Sequence, residues 1–498
     1  MLTITTATLA IGVLGASLLA LLAHAASQWR RLAHVPGPRF AALSKGWMVK
    51  EALKGRQPIS FKQVNDKYGS LARVGPNELI TDDPDVLRRM MAARSEYTRG
   101  HWYNAMKFDP TRDNLFSMRD EIAHTKLRSK MAAGYSGKEN ESMEGSIDLL
   151  IATFVHLIES KYISTTENYR PMDFGEKASF FTLDVISELA FGQPFGYLEN
   201  DHDVYDYLKI TKTFIPIMMV LGDVPSLADL LQSRFLRGLL PSESDKLGFG
   251  AFIGIAKKVV AQRFGRDAKS HPDMLGSFIR HGLTQEEASG EALLQVVAGS
   301  DTSAGALRTV MLNLLTNPTA YSKLRNEIAH GIAKGKISSP IKDSEARQLP
   351  YLQAVIKEGL RLMPPASGAF FKTVPPTGDT IDGKFIPGGT QIGSSPLGIH
   401  CSKKTFGPDA DHFRPERWIE ASPEKFAYMS STVDLIFHYG KYQCLGKSVA
   451  LMEFNKIFVE LLRRFNFSIA RPEQPTKLKN AGIWLMEDFW LRCDHLEV

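Results

Sequence analysis

A loop with two glycines and one cysteine leads directly into an amphipathic stretch near the C-terminus. It reads Phe437-His-Tyr-Gly-Lys-Tyr-Gln-Cys444-Leu-Gly446, and apolar residues then recur at helical spacing from Lys447 to about Phe465. A cysteine at the start of a helix lies near unpaired N–H groups and the positive end of the helix dipole, which favour a thiolate. Cys444 is therefore a candidate metal ligand, although a lone cysteine is more often a small buried hydrophobe.

The longest helical pattern of the sequence has a polar interruption in its apolar face. It begins after Thr284 and runs to about residue 315, with the stretch 298–303 (Ala-Gly-Ser-Asp-Thr-Ser) near its middle. A threonine inside a helix tends to bond to the carbonyl four residues earlier and to loosen the helix. We expect a groove there for a diatomic ligand, beside the acid Asp301 and the hydroxyl of Thr302. A helix crossing that needs small residues would explain Gly299 but not Asp301.

Other elements must hold these two segments together. A helix is predicted from Tyr351 to Leu362, and its Glu358 and Arg361 have the i,i+3 spacing of an ion pair, a pattern also common on surface helices. The stretch 380–386 places an Asp-Gly turn between residues that favour strands, which predicts a hairpin. The glycines at 248–254 do not match a dinucleotide-binding motif, and we predict a loop there.

Composition indicates a globular chain. The 498 residues are 44% hydrophobic and 23% charged, with a net charge of +6 and no long basic run. These values exclude a disordered or polytopic membrane protein and make nucleic acid an unexpected partner. Three scattered cysteines exclude a disulfide framework and a structural zinc site. Helical patterns dominate and no linker divides the chain after Val35, so we predict one mainly α domain with small β-sheets.

The N-terminus predicts a membrane segment followed by a stiff hinge. Residues 2–26 hold no charged side chain apart from one histidine and, as a helix, would span about 37 Å, enough to cross a bilayer core. Arg30 and Arg31 follow, which places the bulk of the protein on the cytosolic side. A cleaved signal peptide is the alternative, because residues 23–25 read Ala-His-Ala. We expect a transmembrane anchor at 2–28, a basic and Pro-Gly-Pro hinge at 29–40, and one domain at 41–498.

The order of motifs along nearly the whole chain resembles that of the cytochrome P450 family of haem-thiolate enzymes. In family order, the sequence has the Pro-Gly-Pro hinge at 36–38, the 298–303 stretch, the Glu-x-x-Arg pair, Phe-Arg-Pro-Glu-Arg-Trp at 413–418 and the cysteine loop. The resemblance implies the P450 fold, a single large haem domain behind an N-terminal transmembrane helix. The cysteine loop and the tail at 483–490 look most like fungal members related to pisatin demethylase.

The resemblance implies a haem b (iron protoporphyrin IX) whose axial ligand is Cys444. The cysteine loop would contact the haem through Phe437, Gly440 and Gly446. The haem propionates would be bound by His124, Arg128, Lys372 and Tyr442. His124 stands where relatives usually have tryptophan, and Lys372 and Tyr442 replace the usual basic residues, so Lys441 is a candidate to compensate. A solvated helix face is the alternative for His124 and Arg128.

Further roles follow from the same resemblance. Asp301 and Thr302 would be an acid and alcohol pair that manages protons during O2 activation. Glu358 and Arg361 would join Arg417 in a buried ionic triad that fixes the cysteine loop. Removing one member of such a triad would leave an uncompensated buried charge, at a cost of about 3–5 kcal/mol.

The implied activity is that of a monooxygenase that hydroxylates or epoxidises a lipophilic small molecule in fungal secondary metabolism. Electrons would come from NADPH through a separate flavoprotein, NADPH–cytochrome P450 reductase, with cytochrome b5 as a further candidate donor. The implied location is the endoplasmic reticulum membrane, with a single span and a cytosolic catalytic domain. Two alternatives remain, a reductase-independent haem-thiolate isomerase or dehydratase and a non-catalytic haem sensor. Family position suggests that the substrate pocket is lined by Trp102, Phe116, Phe214, Val297, Ala298, Ala366, Phe370 and Trp484.

Overall fold

The computed structural model describes residues 26–140, 142–246, 248–265 and 271–496, together with five isolated positions among the first 25. The predicted anchor at 2–28 therefore falls mostly outside the described residues. Among the described residues, no single helix is both long and apolar enough to cross a bilayer. Two consecutive helices, Val204–Asp223 and Pro225–Leu231, meet that test only when taken together across a bend of 115°.

Helices form most of the described chain, as the sequence predicts. From Gly46 onward, the α-helices of the described residues are α1 (Gly46–Leu53), α2 (Gln57–Tyr68), α3 (Pro84–Met91), α4 (Glu121–Tyr135), α5 (Met143–Leu157), α6 (Phe174–Phe191), α7 (Tyr197–Asn200), α8 (Tyr207–Asp223), α9 (Pro225–Leu231), α10 (Gly248–Ala261), α11 (Met274–Arg280), α12 (Gln285–Leu315), α13 (Pro318–Ala333), α14 (Asp343–Ala346), α15 (Pro350–Leu362), α16 (Pro396–His400), α17 (Lys403–Phe406), α18 (Glu416–Ile419), α19 (Pro423–Val433) and α20 (Lys447–Leu462).

The strands are short and form small sheets at the edge of this helical body. They are β1 (Leu71–Arg73), β2 (Glu78–Thr81), β3 (Thr98–Arg99), β4 (Met172–Asp173), β5 (Lys372–Thr373), β6 (Asp379–Ile381), β7 (Lys384–Ile386), β8 (Gln391–Ser394), β9 (Phe465–Ile469), β10 (Lys477–Asn480), β11 (Trp484–Glu487) and β12 (Trp490–His495). One sheet has the order β1-β2-β8-β5-β3, in which only β2 and β8 are parallel, and another has the order β4-β12-β9. The remaining strands form two hairpins, β6-β7 and β10-β11.

The long helix α12 lies in the middle of the molecule, where it packs against α6, α10, α13, α15 and α20. Its predicted start is confirmed: the Thr284 hydroxyl accepts the N–H of Glu287, and the Glu287 carboxylate accepts the N–H of Thr284. Gly299 permits the close approach of α6, because a Cβ at this position would lie 2.7 Å from Ile186 Cγ1. The small residue at 299 is thus explained by a helix crossing, while Asp301 and Thr302 are not.

Two local predictions have opposite outcomes. The hairpin at 380–386 is confirmed as β6-β7, with Asp382 and Gly383 both at positive φ in the turn. The predicted loop at 248–254 is wrong, since these residues form the first turns of α10. A Cβ at Gly254 would lie 2.8 Å from the carbonyl oxygen of Glu243, so the glycine lets the preceding loop pack against the helix instead of breaking it.

Candidate active site

The cysteine loop is built from tight turns that only certain residues allow. Two short 3₁₀ segments, Asp434–Phe437 and Gly440–Tyr442, precede Cys444, whose N–H donates to the carbonyl oxygen of Phe437 at 2.8 Å. Gly440 has a φ of +57°, and a Cβ there would collide with the carbonyl oxygen of Met91 at the end of α3. Gly446 is the N-cap residue of α20, and a Cβ there would be 3.9 Å from Cys444 Sγ.

Cys444 is accessible although protein surrounds it. The residue is exposed, yet burial by surrounding protein is the main cause that raises the pKa of its thiol. The N–H groups of Gly446 and Lys447 at the start of α20, the Arg128 guanidinium and the Lys447 ammonium oppose that rise. The helix terminus therefore favours the thiolate as predicted, but burial outweighs it in the protein alone. Coordination of a metal ion deprotonates a thiol outright, so this environment suits a ligand more than a free nucleophile.

The middle of α12 lines the same interior space. The Thr302 hydroxyl donates to the carbonyl oxygen of Ala298 at 2.8 Å, which is the loosening contact that the sequence predicts. Ala298 is exposed, although its neighbour Val297 is buried and α12 is a core helix. Since α12 packs against α20, which begins just after Cys444, the exposed Ala298 and Cys444 indicate a cavity between them.

Asp301 lies in the interior beside Thr302 but is directed toward another helix. Its Oδ2 atom accepts a hydrogen bond from the Tyr207 hydroxyl of α8 at 3.1 Å. Burial raises the pKa of Asp301 to about 6, while Arg308 and Tyr207 oppose that rise. A carboxyl group with a pKa near neutrality can both take up and release a proton under physiological conditions. Tyr207 was not predicted from the sequence, because it lies far along the chain from Asp301 in a segment without a motif.

Glu358 is the centre of a buried ionic network. Its carboxylate accepts from Arg361 at 2.8 and 2.9 Å and from Arg417 at 2.8 Å, and all three residues are at most 3% exposed. The indole N–H of Trp418 and the backbone N–H of Arg414 also donate to it, each at 2.9 Å. The three predicted members of the triad are thus in contact, and α15 is joined to the segment that precedes the cysteine loop.

The predicted propionate-binding residues form a buried cationic cluster. His124 is only 2% exposed, so the solvated-face alternative is wrong for this residue. Burial and then the charges of Arg99, Arg128, Lys372 and Lys441 lower the pKa of His124 to about 3. Its Nδ1 atom has no hydrogen-bond partner among the described residues. Arg128, one turn further along α4, is half-buried and close enough to Cys444 to affect the pKa of its thiol.

Lys372 and Arg99 both lie over the rings of Tyr442 and Tyr103. Lys372 Nζ lies 3.3 Å from the ring centroid of Tyr442 and 4.9 Å from that of Tyr103, and the Arg99 guanidinium lies 4.9 and 5.1 Å from the same centroids. Arg99 also donates to the carbonyl oxygens of Leu115 and Met118 at 2.6 and 2.8 Å. Arg99 was missed in the sequence, where it is an isolated basic residue before the predicted pocket segment.

Tyr442 and Lys441 are held by Glu121 and do not face the cavity as free donors. The Tyr442 hydroxyl donates to Glu121, and Lys441 forms an ion pair with the same carboxylate at 3.1 Å. Lys441 also donates to the carbonyl oxygens of Ser95 and Tyr97 at 3.1 and 3.2 Å. The single proton of Tyr442 is therefore used by a protein acceptor, which differs from its predicted role as a propionate donor.

The charge of this cluster fits a group that carries carboxylates. Four cationic side chains, Arg99, Arg128, Lys372 and Lys441, surround one carboxylate, that of Glu121. Burial and then the neighbouring Arg99 charge lower the pKa of Lys372 well below its usual value, so the ammonium form of Lys372 is disfavoured in the protein alone. Uncompensated buried charge is costly, and an anion bound in the cavity would relieve it. The two propionates of a haem would supply such charges, and Cys444 would then be the residue that holds the iron.

Three of the predicted pocket residues form an aromatic cluster that contacts the cysteine loop. Trp102, Phe116 and Phe370 contact one another edge to face, with ring centroids 5.5 to 6.3 Å apart. Phe370 has a positive φ of 50°, an uncommon conformation for a bulky residue, and its ring packs at 4.7 Å against that of His438 in the cysteine loop. This contact links the aromatic cluster to the thiolate loop.

The other predicted pocket residues have different surroundings. Phe214 stacks on Phe249 of α10 at 4.1 Å, and Ala366 pairs with Ile483 through an isolated β-bridge. Trp484 does not lie with the aromatic cluster: it packs with Leu397 and Cys401, and its indole N–H donates to the carbonyl oxygen of Pro364 at 3.0 Å. Side chains alternate along a strand, so Trp484 lies on the face opposite to Ile483.

Comparisons with known proteins agree with this geometry. A family model described as Cytochrome P450 matches residues 36–488. The chain is 43% identical over 473 residues to cytochrome P450 monooxygenase ABA1 of Pyricularia oryzae, a match that covers 93% of this chain and 92% of the relative. It is 41% identical over 470 residues to cytochrome P450 monooxygenase aba1 of Botryotinia fuckeliana (94% and 92%) and 32% identical over 463 residues to a cytochrome P450 monooxygenase of Aspergillus terreus (88% and 91%). The kinship with pisatin demethylase stays a prediction.

Replacing Glu358 by Gln tests the ionic network. The change leaves the buried Arg361 guanidinium without a counter-charge and removes one of the two carboxylates that pair with Arg417, the other being Asp409. We expect a loss of about 3–5 kcal/mol in the free energy of unfolding. The matched control is Asp66→Asn, which breaks the exposed pair between Lys62 and Asp66 and should cost at most about 1 kcal/mol. Urea unfolding followed by circular dichroism gives both values. Equal urea midpoints of unfolding for the two variants would show that the ionic network does not stabilise the fold.

Replacing Lys372 by Met tests the cationic cluster. If Lys372 binds a propionate, its loss removes a charge-assisted contact, and we expect haem to dissociate at least about tenfold faster. Transfer of haem to an excess of apomyoglobin measures this rate. Lys357→Met makes the same change on α15, where Lys357 lies over the ring of Phe426, and should leave the rate unaltered. A Lys372→Met protein that retains haem as well as Lys357→Met would contradict this assignment.

Proposed function

The chain belongs to the cytochrome P450 family and is a P450 monooxygenase, and we propose that it takes electrons from a separate NADPH reductase to oxygenate a lipophilic small molecule. The observation that carries this proposal is the arrangement of one cavity: Cys444 on one side, Ala298 and Thr302 of α12 on another, and a buried cationic cluster at its edge. When bound through Cys444, haem supplies the iron centre at which O2 is activated.

Each residue set has a separate task in this proposal. Cys444 provides the thiolate, while Lys372, Arg99 and Arg128 neutralise the propionates and His124 offers its free Nδ1 atom. Thr302 and Asp301 hold and move protons on the α12 side of the cavity, because the Thr302 hydroxyl lies beside the exposed Ala298 and burial raises the pKa of the Asp301 carboxyl to about 6.

The aromatic cluster indicates the class of substrate. Trp102, Phe116 and Phe370 present apolar ring surface and exclude water, which suits a hydrophobic molecule with few polar groups. Such a molecule partitions into membranes, and the proposed location at the endoplasmic reticulum, with a single N-terminal span and a cytosolic domain, would give access to it. The fungal relatives in the comparisons support a role in fungal secondary metabolism, with haem b as cofactor and a reductase, or cytochrome b5, as the electron donor.

Isotopically labelled O2 tests the reaction. The full chain is expressed with a fungal NADPH–cytochrome P450 reductase and supplied with extracts of lipophilic metabolites. We expect a product that contains one labelled oxygen atom, and we expect about one NADPH to be consumed for each molecule of product. Thr302→Ala should lower the yield of product per NADPH, because proton supply is impaired.

Two outcomes would contradict this proposal. A product formed without NADPH or O2 would indicate an isomerase or dehydratase. A ligand that binds and is never converted, with every reductase tested, would indicate a sensor.

A further inference from the structure

The hydroxyl group of Tyr207 contacts two consecutive side chains of α12. Tyr207 is the first residue of α8 and is 1% exposed. Its Oη atom lies 3.1 Å from Asp301 Oδ2 and 2.9 Å from Ser300 Oγ. A buried phenol that hydrogen-bonds to both a carboxyl and a hydroxyl is a candidate to control the protonation of the carboxyl, because both groups find a hydrogen-bond partner without water.

The backbone before α8 is strained in a way that places this phenol. Tyr205 and Asp206 have φ values of 69° and 55°, in the left-handed region that side chains rarely adopt. The Asp203 carboxylate accepts the N–H of Leu208 at 3.0 Å, which fixes the first turn of α8. The ring of Tyr207 packs against Phe252 of α10 at 5.4 Å. Several independent contacts therefore hold Tyr207 against Asp301.

Counting protons shows that the network is complete in both protonation states of Asp301. The Ser300 hydroxyl donates to the carbonyl oxygen of Val296 at 2.7 Å, so its Oγ atom is free to accept. When Asp301 is ionised, the single proton of Tyr207 points to Oδ2. When Asp301 is protonated, its own O–H donates to Tyr207 Oη, and the Tyr207 proton turns to Ser300 Oγ. In both states, Tyr207, Asp301 and Ser300 each take part in at least one hydrogen bond of the network.

We propose that Tyr207 is the positioning residue of Asp301, and that rotation of its hydroxyl between Asp301 and Ser300 lets the buried carboxyl take up and release a proton. The O–H bond of Tyr207 does not break; the proton that leaves Asp301 passes toward Thr302 and is replaced from water. The importance of this switch for turnover rests on the proposed function, in which Asp301 is a proton source. The switch itself is a property of the resting protein.

Few other charged or titratable groups face Asp301. The charge of Arg308, two turns further along α12, opposes the rise in the pKa of Asp301. Asp173, at the start of α6, is in turn close enough to Arg308 to affect the pKa of its guanidinium. Tyr197 of α7 is buried near both Asp301 and Tyr207, and its hydroxyl has no hydrogen-bond partner among the described residues. Tyr197→Phe therefore makes the same chemical change as Tyr207→Phe, next to the same carboxyl, without removing a hydrogen bond.

Infrared titration of the purified ferric holoenzyme tests the proposal without turnover. The band of the protonated carboxyl is identified by its loss in Asp301→Asn, and its midpoint is expected near pH 6 in the unmodified protein. Tyr207→Phe removes the donor to the carboxylate and should raise the midpoint by about one pH unit. Ser300→Ala removes the acceptor used in the protonated state and should lower it by about half a unit. Tyr197→Phe should leave it unchanged.

The opposite signs of these shifts distinguish the switch from a general disturbance of packing. A Tyr207→Phe midpoint equal to that of Tyr197→Phe would overturn the proposal, as would shifts in the same direction for Tyr207→Phe and Ser300→Ala. If Tyr207→Phe does not fold, the downward shift in Ser300→Ala is still required. Failure of the proposed function would give a different result. The infrared titrations would show the expected shifts, but the unmodified protein would form no oxygenated product with the reductase.

Discussion

One buried carboxylate, that of Glu358, joins the segments on which the site depends. It is fully buried and accepts from Arg361, Arg417 and Trp418, while Arg361 also donates to the carbonyl oxygens of His400, Ala410 and His412. The helix that carries Glu358, α15, packs against both α12 and α20, the helices that bear the proton-handling residues and follow the cysteine. Because loss of Glu358 would leave the buried Arg361 without a counter-charge, this carboxylate holds the segments in one arrangement.

The cavity presents the opposite electrostatic situation, since its buried charges are not balanced within the protein. Two cationic side chains, Arg99 and Lys372, lie beside Tyr442, and a third, Arg128, lies near Cys444. Among the described residues, Glu121 is the carboxylate close to Arg99 and Lys372, and it also pairs with Lys441. Glu358 thus stabilises the fold by internal pairing, whereas in our proposal the cationic cluster would be stabilised by binding an anionic group. A ligand that binds only the folded state also stabilises it, so binding of the proposed cofactor would raise the free energy of unfolding.

The sequence predicted elements with strong local signals and failed where the determinants are distant. The capping box of α12 and the Asp-Gly turn of the β6-β7 hairpin need only neighbouring residues, and both are confirmed. A loop is predicted at 248–254 because its glycines match no dinucleotide-binding motif, but the segment is helical, and its glycines contact the 242–245 loop. Trp484 was placed in the pocket by family position, whereas its strand turns it away. Arg99 and Tyr207 carry no motif, and only the folded chain brings them to the cluster and to Asp301.

The account requires that Cys444 be the iron ligand, and the absorption spectrum of the reduced, CO-bound protein tests this most directly. We expect the red-shifted Soret band of a thiolate-ligated haem in the unmodified chain, and its loss in Cys444→Ser. Cys401→Ser and Cys493→Ser, which alter the two buried cysteines outside the loop, should retain the band. An unmodified protein that binds haem without this band, or a Cys444→Ser protein that keeps it, would contradict the central claim.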